Sequence, residues 1–174
     1  MHPLRGWPFL SVPHHALLSA LWAIFAHGAL GILVLAPILL RSRRRLRDSL
    51  LAFAGASLID LDHVFAATSV NLHRIETLGG RPATHCLLAA LALALLAWAP
   101  TRNWTLAWCV FALNVSHLVF DAAGGGTPLL FPLSRPDAIP WLACPLAAAA
   151  MLWVSAMVAR RGAASLPYAH PVDA

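Results

Sequence analysis

The sequence GALGILVLAPILLRSRRRLRD, residues 28–48, joins an apolar run to a short segment that holds five arginines. The apolar run extends over residues 15–40, which exceeds the roughly 20 residues that a helix needs to cross a membrane. A run of this kind that stops at a cluster of arginines is typical of a transmembrane helix ending at the cytoplasmic face. A cleaved signal peptide is the alternative, but the run is longer than a typical signal-peptide core and has no clear Ala-x-Ala site. The stretch therefore favours an integral membrane protein.

The composition of the whole chain agrees with this interpretation. Hydrophobic residues make up 60% of the 174 residues and charged residues 11%, and the mean hydropathy is +0.72. A soluble domain has about half apolar and a quarter charged residues. All 12 basic residues are arginines against 7 acidic residues, and five of them stand between two apolar stretches, so the positive-inside rule explains them better than nucleic-acid binding does. We expect membrane lipids as surroundings and no nucleic-acid partner.

Four more apolar stretches follow the first, at about residues 49–70, 84–99, 104–121 and 141–159. Short polar turns separate the first stretch from the second and the third from the fourth. The sequence predicts an all-α, polytopic membrane helix bundle of about five transmembrane helices, arranged as two hairpins and a C-terminal span. Residues 1–161 are predicted to form a single transmembrane domain, and residues 162–174 a disordered cytoplasmic tail.

The arginines also predict an orientation. Eight of them fall on loops at one side of this topology, and four fall on the other side: Arg41, Arg43, Arg44, Arg45, Arg47, Arg102, Arg160 and Arg161 against Arg5, Arg74, Arg81 and Arg135. The side with eight arginines is predicted to be cytoplasmic, and the loops at 71–83 and 122–140 are predicted to face outward.

Ionisable residues inside the predicted spans are costly and mark candidate functional sites. Seven of them lie about 15 to 20 residues from the middle of their own cytoplasmic turn, a spread in depth of about 6 Å at about 1.5 Å per residue. They are His27, Asp60, Asp62, His63, His85, His117 and Asp121. The shared depth predicts a single polar site toward the outer leaflet.

Helical spacing places some of these residues on a common face. Asn114, His117 and Asp121 form one stripe, and Asp60 and His63 form an i, i+3 pair. Asp62 lies about 200° from Asp60 on a regular helix. Three interpretations follow: the helix is distorted there, Asp62 is an outer partner of a ligand, or Asp62 faces another cavity.

Three carboxylates and four imidazoles form an oxygen and nitrogen ligand set suited to zinc, with manganese and iron as alternatives. One tetrahedral zinc ion would use only four ligands, whereas two divalent ions would bring three ionised aspartates from −3 to about +1, so a two-metal centre is the simplest interpretation. Asp62 is predicted as a bridging ligand or an outer base. Thr84 and Ser116 each precede a proposed ligand histidine and are predicted to orient that histidine or to bind substrate.

Several motifs resemble a known family, over about residues 27–132. The motifs are His27 to Gly31, Leu58-Ile59-Asp60-Leu61-Asp62-His63, Arg81-Pro82-Ala83-Thr84-His85-Cys86, Ser116-His117-Leu118-Val119-Phe120-Asp121 and the downstream Thr127-Pro128-Leu129-Leu130-Phe131-Pro132. Together they resemble the YdjM-like family of membrane-bound, metal-dependent hydrolases. The chain departs from the family pattern in its third motif, since the His-Arg pair of the family is either missing before Thr84 or displaced to His73-Arg74.

The resemblance implies a bacterial inner-membrane protein and a phosphoester as the favoured substrate, because the family is grouped with zinc-dependent phospholipases C and nucleases. A site in the outer half of the bilayer suits an amphiphilic small molecule. Two hypotheses from other classes stand beside the hydrolase: a metal-ion or proton transporter using the same cluster, and a structural protein whose polar layer joins helices. The sequence sets no oligomeric state.

Overall fold

The computed structural model describes residues 14–66, 68, 82, 84–124, 127–133 and 140–164. These residues form helices and no β-strand, which confirms the predicted all-α class. The elements in chain order are α1 (His14–Leu39), α2 (Arg45–Ser57), a 3₁₀ turn (Leu58–Asp60), α3 (Leu61–Ala66), α4 (Leu87–Thr101), α5 (Trp104–Gly124) and α6 (Ala143–Ala164).

Three of these helices are long and apolar enough to cross a membrane: α1 over Ala20–Leu39, α5 over Trp104–Gly124 and α6 over Ala143–Arg161. The third predicted span is the shorter helix α4, of 15 residues, and the second is divided among α2, the 3₁₀ turn and α3. Within the apolar window of α6 only 17% of the residues are buried by the protein. Leu146, Trp153 and Met157 of this helix are exposed, as expected where lipid is the solvent. The chain is an integral membrane protein.

The turn between α1 and α2 holds the arginine cluster of the sequence. Ser42 accepts a hydrogen bond from the Arg44 backbone at 3.0 Å and donates its hydroxyl to Asp48. The Arg47 guanidinium contacts the same carboxylate at 2.7 Å. The hydrogen bond from Ser42, together with Arg47, lowers the pKa of Asp48 below its ordinary value. This partly exposed carboxylate therefore belongs to the basic turn and is distinct from the acids in the spans.

The turn between α4 and α5 is closed by its own backbone and by a cap. Arg102 adopts a left-handed conformation with φ 51°, and its N–H donates to the Trp98 carbonyl at 2.7 Å, which ends α4. The Asn103 side chain accepts a hydrogen bond from the Leu106 N–H at 3.0 Å, which begins α5. The two predicted hairpins are thus both present, each with an arginine-bearing turn.

Helices α1 and α5 lie at the centre of the bundle, and α1 packs against α2, α5 and α6. An apolar core fills the space among these helices on the side toward the basic turns. Its buried members are Val34, Leu35, Leu39, Ala52, Ala112 and Met151. At Gly31 the helices approach closely, because a Cβ built there would lie 2.8 Å from the Cβ of Ala56 and 2.9 Å from Cδ2 of Leu113. Gly31 lies one turn beyond His27, so this close approach fixes where His27 sits.

The last helix extends beyond residue 161, where the transmembrane domain was predicted to end. Helix α6 continues to Ala164, because the small residues after Arg161 include good helix formers. Residues 165–174 lie outside the described part of the chain.

Candidate metal centre

The second predicted span is interrupted where its acidic residues begin. Helix α2 ends at Ser57, and Leu58–Asp60 form a 3₁₀ turn before α3 starts. A 3₁₀ turn has three residues per turn, so it rotates the following side chains relative to a continuous α-helix. Asp60 and Asp62 both reach the same cluster as a result. The helix is therefore distorted next to Asp62, as the first of the three interpretations of this residue predicts.

The structure brings together all seven ionisable residues that the sequence placed at one depth. His27, His63, His85, His117 and Asp121 are buried, whereas the side chains of Asp60 and Asp62 are 29% and 22% exposed. The cluster is therefore closed toward α1 and α5 and open on the side of the 3₁₀ turn and α3.

Four side-chain atoms in this cluster form a compact group: Oδ1 of Asp60, Nε2 of His85, Nε2 of His117 and Oδ2 of Asp121. The two imidazole nitrogens lie 3.3 Å apart. Nε2 of His117 lies 3.3 Å from the Asp60 oxygen and 3.2 Å from the Asp121 oxygen. Nε2 of His85 lies 3.6 Å and 3.5 Å from the same two oxygens. Five of the six distances in the group thus lie between 3.2 and 3.6 Å.

The partners of the two rings indicate which nitrogen carries the proton. Nδ1 of His117 lies 2.9 Å from the carbonyl oxygen of Ala56, and a carbonyl oxygen only accepts, so Nδ1–H is the donor. Nδ1 of His85 lies 2.8 Å from a carboxylate oxygen of Asp62 and donates in the same way. In the neutral rings both Nε2 atoms then carry lone pairs, and these point at each other and at two carboxylate oxygens. With both rings neutral, a cation among these four acceptor atoms would relieve the repulsion between them.

The spacing fits one tetrahedral cation. With metal–ligand bonds of about 2.0 to 2.2 Å, the ligand atoms around a tetrahedral ion lie about 3.3 to 3.6 Å apart. Two carboxylates and two neutral imidazoles carry a formal charge of −2, so a single divalent ion would neutralise the group in its buried setting. The donor set, its spacing and its charge therefore fit zinc or a related divalent ion.

A second group, Asp62, His63 and His85, also has ligand atoms close together. Its distances are shorter: 2.8 Å from Asp62 to Nδ1 of His85, and 3.0 Å from Asp62 to Nδ1 of His63. These are hydrogen-bond lengths rather than the edges of a coordination tetrahedron. Thr84 donates its hydroxyl to the same Asp62 oxygen that accepts from His85. This geometry favours Asp62 as the outer carboxylate that orients His85, an arrangement common among metal-bound histidines.

The remaining predicted residues have different surroundings. Ser116 is buried and donates its hydroxyl to the carbonyl of Leu113 in its own helix, at 2.9 Å, so its proposed contact with substrate stays a prediction. His73 and Arg74 lie outside the described residues.

Sequence reasoning missed the Ala56 carbonyl that orients His117. An α-helix leaves its last carbonyls without α-helical partners, and Ala56 lies one residue before the end of α2. Because this acceptor is a backbone atom, no residue type in the sequence points to it. The predicted end of a helix beside a polar layer is the only signal available.

The fold and the cluster define a class: a multi-span helical membrane protein with a buried His/Asp site that can hold a cation. The chain belongs to the YdjM inner membrane protein family, whose model matches residues 22–170. It is similar to transmembrane protein 267 of Danio rerio, with 35% identity over 129 residues that cover 68% of this chain and 58% of the relative. The same-named protein of Mus musculus is 29% identical over 140 residues, 76% of this chain and 65% of the relative. The matched region is thus less than two thirds of the length of these relatives. No solved structure matches the chain.

Proposed function

We propose that this protein is a membrane-embedded, metal-dependent hydrolase of a lipid-like phosphoester. The observation that carries the proposal is the tetrahedral spacing of four acceptor atoms in a cluster that is buried on one side and open on the other. A divalent ion held there would need a fifth coordination position on the open side to bind a phosphoryl oxygen or a water molecule, and it would then polarise that oxygen or lower the pKa of that water. A phosphoester is the favoured substrate by analogy, because the YdjM-like family is grouped with zinc-dependent phospholipases C.

The open side of the cluster supports an amphiphilic substrate. Asp60 and Asp62 are partly exposed there, and Leu58 and Leu61, on the same turns of chain, are 55% and 50% exposed. A headgroup could reach the carboxylate side while its hydrocarbon chain contacts the leucines. With the arginine turns on the cytoplasmic side, this opening lies toward the outer leaflet.

The side chains of this protein have distinct tasks in such a reaction. Asp62 holds Nδ1 of His85, and the Ala56 carbonyl holds Nδ1 of His117, so both Nε2 atoms keep their direction. Thr84 fixes Asp62 from the exposed side. The rings of His85 and His117 are therefore oriented before substrate arrives, which lowers the free-energy cost of assembling the site.

The apolar core argues against the transporter hypothesis. A transported ion needs polar groups from the cluster to the basic end, whereas Val34, Leu35 and Leu39 follow His27 along α1 and are buried with Ala112 and Met151. Among the described residues, this side of the cluster is apolar. The same core would keep water from leaking behind the site.

The proposal is tested with purified protein in detergent micelles, loaded with zinc or manganese and offered a panel of lipid phosphomonoesters and phosphodiesters. We expect metal-dependent hydrolysis of a lipid ester, lost in His117→Ala and lowered about 10- to 100-fold in Asp62→Asn, which removes the charge that orients His85. Asp48→Asn, a carboxylate on the basic turn, is the matched control and should retain the rate.

Two results would contradict the hydrolase. One is a folded, metal-loaded protein that cleaves no ester in the panel but gives metal flux in proteoliposomes, which supports the transporter. The other is a wild-type protein that shows neither metal binding nor activity, while Asp60→Asn and His117→Ala lower only its stability. That result supports the structural protein.

A further inference from the structure

His27 differs from His85 and His117, the two histidines of the four-atom group, in what its ring nitrogens face. His85 and His117 each direct Nε2 into the four-atom group and anchor Nδ1 on an acceptor outside it. His27 has no such anchor. Its Nε2 lies 3.2 Å from Oδ1 of Asp121, and its Nδ1 lies 3.6 Å from Oδ2 of Asp60. Both of its nitrogens therefore face the two carboxylates.

The carboxylate oxygens that His27 faces are the ones turned away from the four-atom group. Asp60 contributes Oδ1 to that group and Asp121 contributes Oδ2, whereas His27 contacts Oδ2 of Asp60 and Oδ1 of Asp121. Since each imidazole nitrogen binds a metal along one direction, a ring that divides its nitrogens between two carboxylates is poorly arranged to join their shared ion. The ligand groups found among the described residues do not include His27.

Packing holds the His27 ring in this place. The ring is 2% exposed and stacks on His117, with centroids 3.9 Å apart and planes at 29°. The Phe120 ring makes a T-shaped contact with it, with centroids 5.1 Å apart and planes at 83°. Neither His27 nitrogen forms a hydrogen bond of good geometry with the described residues, so the ring acts on its neighbours through packing and local polarity. It fills the space behind both carboxylates and beside one ligand ring.

We propose that His27 is a positioning residue and not a metal ligand: it packs behind Asp60 and Asp121 and holds the opposite oxygen of each toward the ion. The inference rests on the proposed metal centre, and it differs from the sequence-based prediction that His27 is a ligand. It also assigns the ligand set to Asp60, His85, His117 and Asp121.

X-ray absorption at the zinc edge of the loaded protein, combined with zinc titration, tests this assignment. We expect two imidazole ligands in wild type and the same two in His27→Gln, with zinc affinity about 10- to 100-fold weaker, the usual effect of losing an outer partner. His27→Leu keeps most of the side-chain volume but removes both polar nitrogens. This variant should bind zinc more weakly than His27→Gln. His117→Gln should leave one imidazole and weaken binding further than either.

Three imidazoles in wild type that fall to two in His27→Gln would overturn the inference while leaving the metal centre intact. Unchanged zinc affinity in both His27 variants would also overturn it. If wild type binds no zinc and no other divalent ion, the metal centre itself is wrong, and the positioning role falls with it. Thermal melting of the metal-free variants separates these results from misfolding.

Discussion

Asp121→Asn is expected to abolish the stabilisation of this protein by zinc. Asp121 is buried and shares the four-atom group with both ligand histidines. Asparagine keeps the shape but removes one of the two negative charges that balance a divalent ion. A ligand that binds only the folded state stabilises it by about 2.7 kcal/mol at a concentration of 100 times Kd. We therefore expect zinc to raise the Tm of wild type in detergent and to leave that of the variant unchanged.

Asp48→Asn is the matched control for this experiment, because Asp48 lies on the basic turn with Ser42 and Arg47. Its zinc-induced rise in Tm should equal that of wild type. An equal rise in Asp121→Asn would show that zinc binds elsewhere. If metal-free Asp121→Asn melts far below metal-free wild type, Asp60→Asn takes its place. That variant alters the partly exposed ligand of the same group, and its Tm should also stay unchanged when zinc is added.

Gly31→Val is expected to lower the stability of the bundle by at least about 1 to 3 kcal/mol, the usual cost of overpacking a well-packed contact. Even a single Cβ at this position would meet the Cβ of Ala56 at 2.8 Å and Cδ2 of Leu113 at 2.9 Å. The Ala56 Cβ has no rotamer to change, so α1 must move away from α2. Because His27 lies one turn earlier on α1, we also expect weaker zinc binding. Thermal melting and zinc titration in the same detergent measure both effects.

Gly124→Ala provides the matched control, since a Cβ at Gly124 meets nothing within 4 Å. Its free energy of unfolding should lie within about 1 kcal/mol of the wild-type value, since this is the difference in helix propensity between the two residues. If Gly31→Val behaves like Gly124→Ala, the close approach of α1 and α2 is not what positions His27.

Much of the fold follows from the sequence because lipid imposes simple rules on a chain. Apolar length predicts helices, and arginine clusters predict where hairpins turn, as at Arg41–Arg47. The length rule fails for the second stretch, because counting apolar residues does not register a 3₁₀ turn. The off-face position of Asp62 is the one sign of this turn in the sequence, since a regular helix cannot present Asp60 and Asp62 to one site.

The site was predictable as a set of residues but not as a set of roles. Depth along each span groups all seven ionisable residues, because the rise per residue of a helix is constant and an equal number of residues from the turn brings a side chain to an equal height. Roles depend on ring rotation and on the partner that each ring nitrogen faces. That Asp62 orients His85 depends on how the chain returns after α3, and that His117 uses the Ala56 carbonyl depends on a backbone atom.

Elemental analysis of protein purified without chelators tests most directly whether the His/Asp cluster holds a divalent ion. We predict about one zinc or related divalent ion per chain in wild type, the number that neutralises the two carboxylates of the four-atom group. We predict none in the double variant Asp60→Asn/Asp121→Asn. Wild type that carries no divalent ion and takes none up on dialysis against zinc, or a double variant that retains the full content, would contradict the account.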